Sequence, residues 1–137
     1  MKAIIPLVAV IAAVLTEVTS QRCASHSNGC SIPFDLPYFF KNRFTPSCDK
    51  HDVCYSCAVH YGQTKEDCDK MLFNDANRVC SSMKKRFIAN TLSAAQTSFC
   101  KAISLSYYQA TKHFGESHFS TNSESWCSES WVKSCMP

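Results

Sequence analysis

Apolar residues recur along this chain in four distinguishable ways. From Ala3 to Leu15 they run unbroken, behind Met1-Lys2 and ahead of Thr16-Glu17-Val18-Thr19-Ser20. From Ile32 to Phe44 they crowd without a period, as Phe34, Leu36, Tyr38, Phe39, Phe40 and Phe44, interrupted by Pro33 and Pro37. From Cys68 to Met83 they fall at Cys68, Leu72, Ala76, Val79 and Met83, the three- and four-residue steps of one helical face. The same steps return at Phe99, Ile103, Tyr107, Ala110 and Phe114. Gln21 to Ser31 and the Ser-rich stretch after Gly115 carry no period.

Each pattern predicts an element. The first run reads as a secretory signal peptide over residues 1–20, with Val18 and Ser20 small enough for cleavage before Gln21. As a membrane span it is too short to cross comfortably. Gln21 to Ser31 reads as an extended arm. The prolines of Ile32 to Phe44 forbid a regular helix and predict an aromatic-rich loop. Its rings either pack on helices behind them or form an apolar wall for a ligand, and the pattern leaves both open. Thr45-Pro46 reads as an N-cap and first helical position, opening a helix that Gly62 stops. A second helix opens at Thr64-Lys65-Glu66-Asp67, close to a capping box, and carries the Cys68–Met83 stripe. A third carries the Phe99–Phe114 stripe and ends at Gly115. Residues from about 116 to 137, with Trp126 and Trp131, read as an irregular stapled tail.

Cysteine usage changes this picture most. All ten cysteines lie after the proposed cleavage point, and an even count in a small secreted chain implies a disulfide framework. Cys54 and Cys57, flanked by His51 and His60, also resemble half of a zinc site, but no second paired motif accompanies them. Residues 21–137 then form one small, mainly α domain. A net charge of +3 without a basic, aromatic-interleaved stripe does not indicate nucleic acid. It permits contact with an anionic lipid surface. Lys84-Lys85-Arg86 reads as a solvated helix end, a membrane-contact patch or a processing site, in that order. No internal repeat and no N-x-[ST] acceptor is present.

The densest chemistry lies in Ser47-Cys48-Asp49-Lys50-His51-Asp52-Val53-Cys54-Tyr55. On a helix His51 and Asp52 diverge by about 100°, whereas His51 and Tyr55 share a face. Asp69 sits at the edge of the second helix's stripe, beside Phe73, where a carboxylate needs a partner. His51 is the natural one. A lone histidine here would pass for a core residue. Joined to Asp52, Tyr55 and Asp69, it reads as a general base.

Cys48-x-x-His51-Asp52-x-Cys54-Tyr55 resembles the active-site helix of secreted calcium-dependent phospholipases A2, and Cys68-Asp69-Lys70 resembles their second helix. Venom and pancreatic members carry a cysteine where Ser47 stands, and a glycine-rich calcium loop; this chain has neither. Asn28-Gly29-Cys30-Ser31, Arg78-Val79-Cys80 and Tyr107-Tyr108-Gln109-Ala110 instead resemble the compact bacterial and fungal enzymes and the conodipines of cone-snail venom. The similarity covers most of Asn28 to Gly115 and leaves the tail unmatched. It implies a small disulfide-rich α domain with two antiparallel active-site helices and a third long helix. It implies the pairs Cys30–Cys48 and Cys80–Cys100.

The implied activity is hydrolysis of the sn-2 ester of a glycerophospholipid at a membrane surface, by a secreted monomer. His51 would take a proton from water, Asp69 would hold the ring, and Tyr55 would donate to Asp69. Asp52 would bind Ca²⁺, which prefers oxygen ligands, with the Gly29 carbonyl and the Asn28 amide. Asp35 is an alternative ligand. Phe34, Leu36, Phe39 and Phe40 would form the apolar wall. No G-x-S-x-G is present, and none is needed. Two other classes remain at this stage: a phospholipase-like toxin that binds a protein target without turnover, and a purely structural disulfide protein. Calcium-dependent fatty-acid release separates them.

Overall fold

A computed structural model describes positions 11 and 14 and residues 21–30, 39–84 and 91–137, without the side chains of 84 and 91–93. The proposed cleavage site, Phe34, Asp35, Leu36 and Lys85-Arg86 lie outside the described residues. Three helices dominate: α1 (Lys41–Cys57), α2 (Lys65–Lys84) and α3 (Thr91–Phe114). Four short 3₁₀ turns follow α1 or build the tail: Val59–Tyr61, Glu116–His118, Ser125–Ser128 and Val132–Cys135. Among the described residues there is no strand, and no helix is long and apolar enough to cross a membrane.

Local chemistry explains most boundaries. Thr64 and Asp67 close a reciprocal cap: the Asp67 N–H donates to the Thr64 hydroxyl at 3.1 Å, and the Thr64 N–H to the Asp67 carboxylate at 2.9 Å. Gly62, at φ +65°, ends the α1 region where the pattern placed a stop. The start of α1 differs from expectation. It lies at Lys41, with Pro46 inside the helix. The Phe40 carbonyl accepts from Arg43 and Phe44 at 2.9 and 3.0 Å, and Thr45 returns its hydroxyl to the Lys41 carbonyl at 2.8 Å instead of capping. Hydrogen bonds on either side carry the helix past the one donor that proline lacks. The aromatic loop therefore stops at Phe40, in the left-handed region at φ 59° and held by rings of Phe44 and Phe99. Positions 21–25 are likewise helical rather than extended.

The helices run antiparallel in sequence order. Along α1, Lys50, His51 and Cys54 meet Asp75, Asp69 and Cys68 in turn. Along α2 and α3, Cys80 joins Cys100, and the Lys65 ammonium reaches the Thr111 carbonyl. The α2 stripe faces inward, with Cys68, Leu72, Ala76 and Met83 buried. The α3 stripe does so only in part: Tyr107 is buried and Ile103 packs half-buried on the core, whereas Phe99 and Phe114 are 45% and 53% exposed. Thr97, Cys100 and Ser104 complete the inner face, where the Ser104 hydroxyl reaches the Phe73 carbonyl of α2 at 3.5 Å. Phe44, fully buried, meets Tyr107 edge-on at 5.3 Å and ties α1 to α3.

Five disulfides complete the core: Cys23–Cys135, Cys30–Cys48, Cys54–Cys68, Cys57–Cys127 and Cys80–Cys100. Both pairs implied by the resemblance are among them. Cys54 and Cys57 bond to different partners, which removes the zinc alternative. The tail's Cys127, Trp131, Val132 and Cys135 form a second apolar cluster with Val53 and Cys57 of α1.

Candidate active site

The α1–α2 contact places two charged groups where water scarcely reaches. His51 is 5% exposed and Asp69 2%. His51 Nε2 lies 2.8 Å from Asp69 Oδ1, and the Tyr55 hydroxyl donates to the same oxygen at 2.6 Å. Asp69 Oδ2 accepts from Lys65 Nζ at 2.8 Å. Burial opposes the Asp69 charge, but the bonds from His51, Lys65 and Tyr55 outweigh it and hold its carboxyl below the ordinary range. Asp69 is therefore an ionised acceptor, and His51 presents Nε2–H to it. That leaves Nδ1 as the basic nitrogen.

Burial also disfavours the charged form of His51, yet Asp52 and Asp69 together push its pKa above the ordinary value. Asp52 Oδ1 lies 4.0 Å from Nδ1. Tyr55, buried and pressed against Asp69, is held protonated far above the usual phenol range, which suits a permanent donor. Its ring lies 4.0 Å from the His51 ring, centre to centre.

The N-terminal loop arrives on the other side of Asp52. Ser27 donates its hydroxyl to Asp52 Oδ2 at 2.7 Å, the Asn28 N–H reaches the same oxygen at 3.3 Å, and the Gly29 N–H donates to the Ser27 hydroxyl at 2.9 Å. Gly29 adopts φ +76°, a conformation that suits glycine, and Cys30–Cys48 pins the loop to α1. Among the described residues no three His, Cys, Asp or Glu side chains cluster as a metal site would. The donors that the loop brings beside Asp52, the Ser27 hydroxyl, the Asn28 amide and backbone carbonyls, are oxygens, the kind a hard cation prefers.

His51, Asp52 and Tyr55 open on a cleft of about 610 Å³, whose walls include Leu72, Tyr107 and Phe114. Asn28 and Gly29 line it too. Phe39 and Phe40 do not; they pack against Phe99 at ring separations of 5.2 and 5.7 Å. From α3, Tyr107, Ala110 and Phe114 line the cleft.

Comparison with known proteins is decisive at the family level. A family model described as prokaryotic phospholipase A2 matches residues 7–115. The chain belongs to this prokaryotic phospholipase A2 family. It is 42% identical to conodipine-P3 of Conus purpurascens over 65 residues, 47% of this chain and 35% of that protein. It is 39% identical to the conodipine-M alpha chain of Conus magus over 64 residues, 46% of this chain and 80% of that one. The matched segment thus spans about a third of the length of conodipine-P3. No solved structure matches the chain.

Within this phospholipase A2 family member, four participants escaped the sequence pattern. Ser27 bridges the loop to Asp52. Asp49, three residues before Asp52 on the same helix, is buried, its pKa raised chiefly by burial and also by Asp52, against the nearby Ser27 hydroxyl. Spacing of three along a helix was the available signal for Asp49. Lys65 had none, and Gly115 was legible only as the end of the third helix. A side-chain carbon on Gly115 would collide with the Thr111 carbonyl and the Tyr55 hydroxyl, so only glycine lets α3 end against the site.

Proposed function

We propose that this protein is a secreted, calcium-dependent phospholipase A2 that releases the sn-2 fatty acid of glycerophospholipids at a membrane surface. The observation that carries the reading is the buried Asp69–His51 pair, with Nδ1 left open on a cleft of mixed polar and apolar lining beside Asp52.

In this reading a water lies against Nδ1 of His51. The ring takes one proton as the water oxygen bonds to the sn-2 carbonyl carbon. The bond from that carbon to the glycerol oxygen then breaks, and the proton on Nδ1 passes to the departing oxygen. One water and one ester become a fatty acid and a lysophospholipid, and His51 returns to its starting state. Asp69 holds the ring in the Nε2–H form and stabilises the cation formed in between, while Tyr55 keeps Oδ1 in place. Asp52, with Gly29 and Asn28, would hold Ca²⁺, whose chemistry is to polarise the ester carbonyl and draw negative charge from it. Leu72, Tyr107 and Phe114 receive the acyl chain. A signal peptide over residues 1–20, secretion and action as a monomer belong to the same proposal.

The test is fatty-acid release from phospholipid vesicles with Ca²⁺ or chelator, for wild type and His51→Gln. Wild type should work only with Ca²⁺, and His51→Gln should lose roughly a hundred- to ten-thousand-fold in rate. Full activity in chelator, or near-normal turnover by His51→Gln, overturns the reading. A wild type that binds vesicles or a protein target without turnover favours a binding toxin.

A further inference from the structure

Lys65 is the first residue of α2, at the positive end of that helix's dipole, where a cation is locally unfavourable. Its pairing with Asp69 also has the basic residue N-terminal to the acid, the weaker order for a pair four apart. Nothing within α2 therefore accounts for a lysine here. The neighbouring pair, Glu66 and Lys70, is an ordinary surface contact, with side chains 68% and 57% exposed. The Lys65 side chain is only 15% exposed.

Its ammonium has three functions to serve at once. It donates to Asp69 Oδ2 at 2.8 Å and to the Thr111 carbonyl at 2.9 Å, and it lies 5.7 Å from the centre of the Tyr55 ring. Thr111 belongs to the last turn of α3, where the dipole is negative; its carbonyl also accepts from the Gly115 N–H at 2.8 Å, and the Lys65 ammonium lies 3.5 Å from the next carbonyl, that of Lys112. The same turn ends at Phe114, which walls the cleft.

We propose that Lys65 is a positioning residue: it clamps the second oxygen of Asp69 and docks the end of α3, so that the wall of the cleft and the orientation of His51 are fixed by one ammonium. This rests on reading His51 and Asp69 as the hydrolytic pair. With His51 and Tyr55 both on Oδ1, removal of Lys65 leaves Oδ2 buried without its cation. The carboxylate then turns, and the ring loses its fixed Nε2–H form. Outer partners that orient a reacting group typically contribute about ten- to a hundred-fold.

Lys65→Met keeps the length and apolar stem but not the charge. On vesicles with Ca²⁺ it should lose about ten- to a hundred-fold in kcat and raise the apparent KM as the cleft wall loosens, and Lys65→Arg should recover most of both. Nitrogen-15 correlation spectra of the His51 ring in chelator give a second readout: a dominant Nε2–H tautomer in wild type and Lys65→Arg, and a mixture in Lys65→Met. A Lys65→Met enzyme with kcat within about twofold of wild type overturns the inference. So does an Arg variant as impaired as Met. Should wild type show no turnover, the phospholipase reading fails, and the tautomer decides for Lys65 alone: a mixture in Lys65→Met supports it, and an unchanged Nε2–H form overturns it.

Discussion

Asp69 receives three hydrogen bonds on two oxygens, and its ionisation is thereby linked to the stability of the fold. Its carboxyl is held below 3.8, so the stabilisation is present above that pH and is lost as pH falls through the folded value. His51 is held above 6.5, so its share is present below 6.5 and is lost as pH rises through the folded value. Both belong to one pair and are counted once. In chelator, the urea-unfolding free energy of wild type minus that of Asp69→Asn should peak between 3.8 and 6.5, and shrink on either side. At the peak the difference should be on the order of 3 kcal/mol, as when one member of a buried ion pair is removed. A flat difference across that range would contradict the coupling. The histidine and its aspartates were legible because their message is local: adjacency in His51-Asp52, one turn to Tyr55, a stripe edge for Asp69. Lys65 was illegible because its second partner, Thr111, lies 46 residues away on another helix.

At the scale of helices, what decides the geometry is where each one ends. Gly115 closes α3 against Tyr55, and Gly115→Ala should force apart α3 and the tyrosine that steadies Asp69. Overpacking of this kind costs about 1–3 kcal/mol, and here the strain falls on the site. Thermal unfolding should show the loss, and turnover on vesicles should fall by more than the change in folded fraction explains. Equal losses in both would mean that α3 yields without disturbing Tyr55. The existence and order of the three helices could be read from periodicity and caps. Two details could not. Pro46 looked like a beginning because proline disfavours a helix interior, yet bonds from Phe40 and Thr45 carry the helix around it. On α3 the middle of the stripe, Tyr107, is buried as its spacing implied, while the ends, Phe99 and Phe114, are exposed and Thr97, Cys100 and Ser104 share the inner face. Hydrophobic spacing reports which residues share a face, and not how much of that face a neighbour covers.

In the whole molecule, five disulfides reinforce the apolar clusters where the helices and the tail meet. The even cysteine count announced them, and two pairs, Cys30–Cys48 and Cys80–Cys100, followed from the family resemblance. The rest, Cys54–Cys68 between α1 and α2 and the two bridges to the tail, could not be derived, because six unassigned cysteines allow about fifteen pairings. Cys57–Cys127, which closes a separation of 70 residues, should contribute about 4 kcal/mol by restricting the unfolded chain. Replacing both cysteines by Ala should lower the urea midpoint accordingly, while kcat at low temperature holds, since neither cysteine lines the cleft. A matching loss of kcat in fully folded protein would place the tail within the catalytic machinery. The outermost bridge has a different kind of consequence. Cys23–Cys135 spans 112 residues and encloses the other four within it. Topologically the stretch from Cys23 to Cys135 is a closed ring in the oxidised protein. A protease that severs any single peptide bond between those cysteines opens the ring without dividing it, so a nicked molecule keeps its mass, apart from one added water, until a reductant reaches it.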